Sequence, residues 1–229
     1  MREYEAVVFD MDGVIFDSEK KVVECWQVLA DKYGFTGIEE ACRACLGTTK
    51  EKSKEIMLRR YGEDFPYETY SAEASKLFHE RYDGGRLPKK PGIEKILQAL
   101  SREGKKIALA SSTRRQTVES QLRDAGLIGY FDKIICGDMV EKSKPEPDIY
   151  IRACKELGVL PEQAYAIEDS YNGIRSAYRA GMRPIMVPDM VPPDEEMRKL
   201  VCMIKKDLNQ VCQAIIEDEK KPQEGTIHA

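Results

Sequence analysis

Short apolar runs and stretches of helical period alternate along this chain. Ala6-Val7-Val8-Phe9 is a continuous apolar run of strand length, as in a strand buried on both faces of a parallel sheet. From Ser18 to about Tyr82 the pattern is almost purely helical. Val22, Val23, Trp26, Leu29, Ala30 and Tyr33 recur at helical spacing, and further helices are expected over 38–46, 50–61 and 67–82, divided by Gly47, Gly62 and Pro66. From Pro91 the pattern alternates. Helices are expected at 92–103, 114–125, 147–157, 170–180 and 206–217, and strands at 106–110, 133–136, 164–167 and 184–187. Pro91, Pro147 and Pro161 fall at expected helix starts, and Gly104, Gly126, Gly158 and Gly181 at expected ends. The fold class predicted is α/β, a doubly wound parallel sheet with a helical insert after its first strand. Residues 1–16 and 86–217 form the core, 17–85 the insert, and 218–229 a charged, flexible tail. Asp17-Ser18 leads into the insert, with Ser18 a candidate helix N-cap, and Asp83-Gly84-Gly85 followed by Leu87-Pro88 leads back.

The candidate chemistry lies at strand ends, where open α/β sheets bind ligands. Asp10-Met11-Asp12-Gly13 directly follows the first strand. If the extended geometry continued, Asp10 and Asp12 would point the same way, and like charges so close call for a cation or a proton between them. A hard divalent cation, Mg²⁺, suits all-oxygen ligation, while Gly13 permits a sharp turn. One carboxylate can attack an electrophile and the other can move a proton; the residues alone do not say which does which. The strand at 107–110 ends in Ser111-Ser112-Thr113, hydroxyls and backbone N–H groups ahead of a helix, which suits an anion and equally suits a helix cap. Lys144, inside Ser143-Lys144-Pro145-Glu146-Pro147-Asp148, offers a fixed positive charge. The strand at 164–167 ends in a second acidic pair, Glu168-Asp169, then Ser170 and Asn172-Gly173.

Bulk properties narrow the field. The 229 residues can bury a core without disulfides or a structural metal. The net charge of −4, with both signs interspersed, gives no basic run for nucleic acid or an anionic membrane. No apolar run nears the ~20 residues that span a bilayer, and the early first strand leaves no space for a signal peptide. Seven scattered cysteines do not form a disulfide framework and point to a reducing cytoplasm. Cys42-Arg-Ala-Cys45 has metal or redox spacing, but it lacks a second ligand pair and lies in a helical stretch, so the pair reads as ordinary helix residues.

With its four motifs in this order, nearly the whole chain resembles the haloacid dehalogenase superfamily of phosphotransferases. It is most similar to the branch of β-phosphoglucomutase and small sugar-phosphate phosphatases. The resemblance implies a Rossmann-like core with an inserted helical cap. It also implies Asp10 as nucleophile, Asp12 as general acid–base, Ser111 and Ser112 with Lys144 as phosphate binders, and Lys144 as a catalytic charge. The implied Mg²⁺ site comprises Asp10, Asp12 (through its backbone carbonyl), Asp169 and Glu168, the last directly or through water, and Asn172 is a possible supporting residue. Candidate substrate readers in the cap are Glu19, Thr48, Thr49, Lys50 and Lys76. In the mutase pattern a histidine falls where this chain has Val22, and an arginine where it has Lys50; neither His79 nor His228 aligns with that histidine. The departures favour hydrolysis of a small phosphate monoester, a sugar phosphate foremost, over the alternative, a β-phosphoglucomutase-type phosphomutase; a monomeric cytoplasmic enzyme is expected.

Overall fold

A computed structural model describes residues 4–46, 48 and 50–217. The expected tail at 218–229 and the candidate reader Thr49 lie outside the described residues.

Six strands form one parallel sheet: β1 (Ala6–Phe9), β2 (Lys106–Ser111), β3 (Lys133–Cys136), β4 (Ala164–Glu168), β5 (Arg183–Met186) and β6 (Met203–Ile204), in the order β3-β2-β1-β4-β5-β6. The chain builds outward from β1 through β2 to β3, then returns to place β4 on the other side of β1. The first strand is therefore central, and the crevice beside its carboxyl end is the switch point where such sheets bind ligands.

Alternation along the strands sets the two layers. Val7 and Phe9, with Ile107, Leu109, Tyr165 and Ile167, face α5 (Ile93–Arg102), α6 (Arg115–Asp124) and α10 (Leu208–Cys212). Ala6 and Val8, with Ala108, Ala110, Ala164 and Ala166, face α7 (Asp148–Leu157) and α8 (Tyr171–Arg179). The small alanines on this second face let α7 lie close to the sheet, chiefly against β2 and β3.

Four helices are inserted between β1 and α5: α1 (Ser18–Tyr33), α2 (Ile38–Cys45), α3 (Lys50–Tyr61) and α4 (Tyr67–Tyr82). Helix α1 buries Cys25, Trp26, Leu29 and Ala30 and ends at Gly34, whose φ of 75° is readily adopted only by glycine. It packs along α4 through ring pairs, Trp26 on Tyr67 at 6.2 Å and Tyr33 on Tyr70 at 4.4 Å. The outgoing and returning segments run side by side: Asp17 N–H donates to Pro88 O at 2.9 Å and Lys90 N–H to Ile15 O at 2.8 Å.

Some expectations need correction. Ser18 does not cap α1; it lies inside the helix and its hydroxyl donates to Asp12 Oδ1 at 2.6 Å, while Asp17 occupies the cap position without a side-chain bond. Strand β5 begins one residue earlier than expected. Strand β6 and helix α9 (Glu195–Leu200) were not expected, being too short to carry a periodic signal. The helix expected over 206–217 is α10 followed by a π-helical turn, Gln213–Glu217.

Candidate active site

The register places Phe9 opposite Leu109 and Ile167. One residue on, Asp10 leaves β1 level with the end of β4, where Glu168 is the last strand residue and Asp169 follows. Carboxylate oxygens of Asp10, Glu168 and Asp169 all lie within 4.8 Å of one another, and all three residues are buried. Lys144 reaches into this cluster from the loop before α7. Its ammonium donates to Asp10 Oδ1 at 2.5 Å, Glu168 Oε1 at 2.6 Å and Ala110 O at 2.9 Å. Tyr150, on the inner face of α7, donates to Glu168 Oε1 at 2.6 Å, and Ser170 Oγ to Glu168 Oε2 at 3.2 Å. Glu168 thus spends its lone pairs on three protein donors, whereas Asp169 retains more capacity for a cation.

Two glycines make space for these carboxylates. A Cβ on Gly13 would stand 2.1 Å from Asp169 Oδ2, and one on Gly173 would stand 1.9 Å from Glu168 Cδ. Gly13 is therefore required twice over, for its φ of 80° and for the approach of Asp169.

Burial, the largest influence, raises the Asp10 carboxyl well above its ordinary range, with Lys144 opposing it. Burial likewise raises Asp169, helped by the charge of Glu19. Burial works against the Lys144 charge, but Asp10 and Glu168 more than offset it and leave its proton held more tightly. A buried acidic cluster with one lysine calls for further positive charge, and its oxygen-only donor set fits a hard divalent cation.

Asp12 does not point with Asp10. The turn at Gly13 ends the extended geometry, and the Asp12 carboxylate is held by Ser18 and by Thr113 Oγ1, the latter at 2.9 Å. It stands outside the three-carboxylate cluster and on the cavity wall. Ser111 is fully buried and does not line the cavity, because β2 continues through it and its Oγ accepts the Thr113 N–H at 3.0 Å. Ser112 and Thr113 line the cavity instead.

Of the expected readers on the insert, Glu19, Thr48 and Lys50 line the cavity, together with Val22 in the position of interest. Lys76 does not; its side chain is 77% exposed and its ammonium lies 3.8 Å from Glu80. His79, left aside by the sequence reading, lines the cavity with Nδ1 3.0 Å from Asp83 Oδ2. Cys42 and Cys45 also line it as free thiols, and burial pushes Cys42 up to about 12 and Cys45 upward.

The sequence reading missed Asp189. It lies three residues past the end of β5, at the same end of the sheet as Asp10, so the strand-end rule could have found it. Its Oδ1 accepts from Lys20 at 2.6 Å and Lys90 at 2.8 Å, and both lysines also reach Asp17, which binds the outgoing and returning segments to the core. Glu19, Asp169 and Asp189 present oxygens within 4.8 Å of one another. Burial, then the charges of Asp12 and Asp189, push the Glu19 carboxyl from 4.5 up to about 8, against a hydrogen bond with Asp169. A carboxyl raised by folding favours the fold while protonated. In protein stripped of divalent cations, stability should therefore fall as pH rises from about 4.5 through about 8. Thermal melts in chelator at pH 5 and 8.5 should show a shallower fall for Glu19→Gln; an identical fall would place that titration elsewhere.

Comparison with known proteins accords with this geometry. Residues 7–187 match the family model described as haloacid dehalogenase-like hydrolase. The chain is 32% identical over 186 residues to a phosphorylated carbohydrates phosphatase of Thermotoga maritima, covering 79% of this chain and 83% of that protein. It is 33% identical over 186 residues to a β-phosphoglucomutase of Bacillus subtilis, covering 78% and 80%. The crystal structure of CbbY from Rhodobacter sphaeroides in complex with phosphate superposes with a TM-score of 0.73 at 30% identity, covering 91% and 96%. The chain belongs to the haloacid dehalogenase-like hydrolases. Within them it is a phosphoric monoester hydrolase. Among the described residues, no helix is long and apolar enough to cross a membrane.

Proposed function

We propose that this hydrolase cleaves a small phosphate monoester, a sugar phosphate foremost, by way of an aspartyl-phosphate on Asp10. The observation that carries the reading is the buried Asp10–Lys144–Glu168 arrangement at the end of β1, with Asp12 held separately on the cavity wall. One oxygen of Asp10 is fixed by Lys144. The other attacks phosphorus as the ester P–O bond breaks, and protonated Asp12 gives its proton to the departing oxygen. Asp12, now ionised, takes a proton from the water that next attacks phosphorus, which frees Asp10 and releases inorganic phosphate. Ser18 and Thr113 keep the Asp12 carboxyl in place through both steps. Ser112 at the helix approach and the Lys144 charge hold the phosphoryl oxygens. Asp10, Asp169 and the Asp12 carbonyl would hold Mg²⁺, with Glu168 supporting through water. The bound ion supplies positive charge to the phosphoryl group. Residues 17–85 act as a cap that excludes bulk water and meets the leaving group. Seven free cysteines support a cytoplasmic setting, and we assign a monomer.

Hydrolysis is favoured over phosphomutation. The cavity has Val22 and Lys50, and no arginine lines it among the described residues. Arg43 and Arg175 border an adjoining cavity of about 270 Å³ that shares Glu19, Thr48 and Asp169 with the first, and each pairs there with a glutamate, Glu39 and Glu196. A second phosphate would thus lack a bidentate grip. The test measures phosphate release and isomerisation of β-glucose 1-phosphate in one sample, with Mg²⁺ and the sugar bisphosphate as primer. Phosphate release should exceed isomerisation; the reverse ratio would make the enzyme a mutase.

The cation assignment predicts a separate result. Asp169→Asn should weaken Mn²⁺ binding, read by electron paramagnetic resonance, by at least about tenfold, or ~1.4 kcal/mol. Unchanged Mn²⁺ affinity would remove Asp169 from the site.

A further inference from the structure

The cleft above the acidic cluster has a volume of about 710 Å³. Sites of ~300–1,000 Å³ bury drug-sized ligands, and this one exceeds what a hexose phosphate needs. The extra space lies inside the cap, because each of its four helices turns one face toward the same cavity. Trp26, Met57 and Tyr67 form apolar walls, while Cys42, Ser53 and Ser71 are small where a helical bundle is normally closed by large apolar side chains. An unfilled centre forfeits packing contacts that a larger residue at any of these positions would restore. The small polar groups there are neutral and already engaged: Ser53 Oγ bonds Thr48 Oγ1 at 2.9 Å, and Ser71 bonds the Tyr67 side chain. Beyond those of the sheet side, the acidic and basic side chains lining the cavity are Glu19, Lys50 and His79.

We propose that the cap interior is a second compartment of the site and that it binds an uncharged aromatic or apolar substituent carried by the phosphorylated sugar. The sugar bridges the two compartments, with its phosphate at the strand ends and its substituent against Trp26 and Tyr67. This rests on the phosphatase reading and narrows its substrate class from sugar phosphates in general to phosphorylated glycosides and nucleosides. An aromatic ring gains stacking and apolar burial there, while a bare sugar leaves the compartment to water.

The test compares matched pairs, uridine 5′-monophosphate against ribose 5-phosphate and phenyl β-glucoside 6-phosphate against glucose 6-phosphate. The member bearing the ring should have the higher kcat/KM in at least one pair, by tenfold or more. Ser71→Leu, which fills the compartment, should reduce that advantage at least fivefold and raise the melting temperature; Ser53→Leu repeats the experiment should the first variant fold poorly. Ratios near one in both pairs, or an advantage untouched by both fillings, would overturn the proposal. If none of the four compounds is hydrolysed, the phosphatase reading fails instead. The compartment is then judged by calorimetry of Asp10→Asn with the same pairs, where at least tenfold tighter binding of a ring-bearing member supports it and equal binding overturns it.

Discussion

Asp10→Asn should lower turnover by at least about 10⁴-fold, ~5.4 kcal/mol of barrier, while the protein stays folded. The amide keeps the shape of the carboxylate but cannot form the acyl phosphate. It also removes one of the buried negative charges that burial disfavours, so the melting temperature in chelator should not fall. Single-turnover assays with a phosphate ester and thermal melts in parallel check both halves. Turnover within tenfold of the parent would move the nucleophile away from Asp10. A folded but inactive variant would also be the reagent for binding measurements, because it holds substrate without consuming it.

Lys144→Met should be costly in a different way. The Lys144 side chain is only 7% exposed and serves two carboxylates whose own side chains are 10% and 0% exposed. Removing one partner of a buried pair costs ~3–5 kcal/mol because the remaining charge is stranded. Here two are stranded, Asp10 and Glu168. Activity should fall by at least about 10³-fold, ~4 kcal/mol of barrier, as the phosphoryl charge loses its fixed counterpart. Without the ammonium the Asp10 carboxyl, which Lys144 holds down, keeps its proton to higher pH. The destabilisation should thus be largest above neutral pH and shrink as pH falls and Asp10 protonates. Urea unfolding at pH 8 and pH 5 measures this. A loss of stability that does not shrink at pH 5 would point to lost packing rather than to stranded charge.

Much of this arrangement was legible in the residues, for identifiable reasons. Val7 and Val8 lie in a run apolar on both faces, so β1 was readable as a buried central strand, and the strand-end rule then led to Asp10, Ser112, Lys144, Glu168 and Asp169. Ser111 is the last residue of β2 rather than the first beyond it, buried and with its Oγ accepting the Thr113 N–H. Ser18 carried a helix-cap signature, yet a tertiary partner, Asp12, claimed its hydroxyl. Helical period found α4, but Lys76 and His79 are three residues apart and only packing decides that His79 faces the cavity. Tyr150 was invisible because its role depends on a glutamate far away in sequence, whereas Asp189 lay within reach of the strand-end rule. The cysteine pair has a motif's spacing without its chemistry, since burial keeps the Cys42 thiol protonated.

The adjacent departure and return of the insert, at Asp17 and Pro88, have a consequence for how such a gene can diversify. One uninterrupted stretch of coding sequence, residues 18–87, specifies most of the wall that would face a leaving group. Apart from Glu19, the acidic cluster and its lysine are encoded outside that stretch. Recombination or drift confined to it can retune selectivity while the parallel register that aligns Asp10 with Glu168 is inherited intact. A duplicated copy therefore starts with working chemistry and an open choice of what to apply it to.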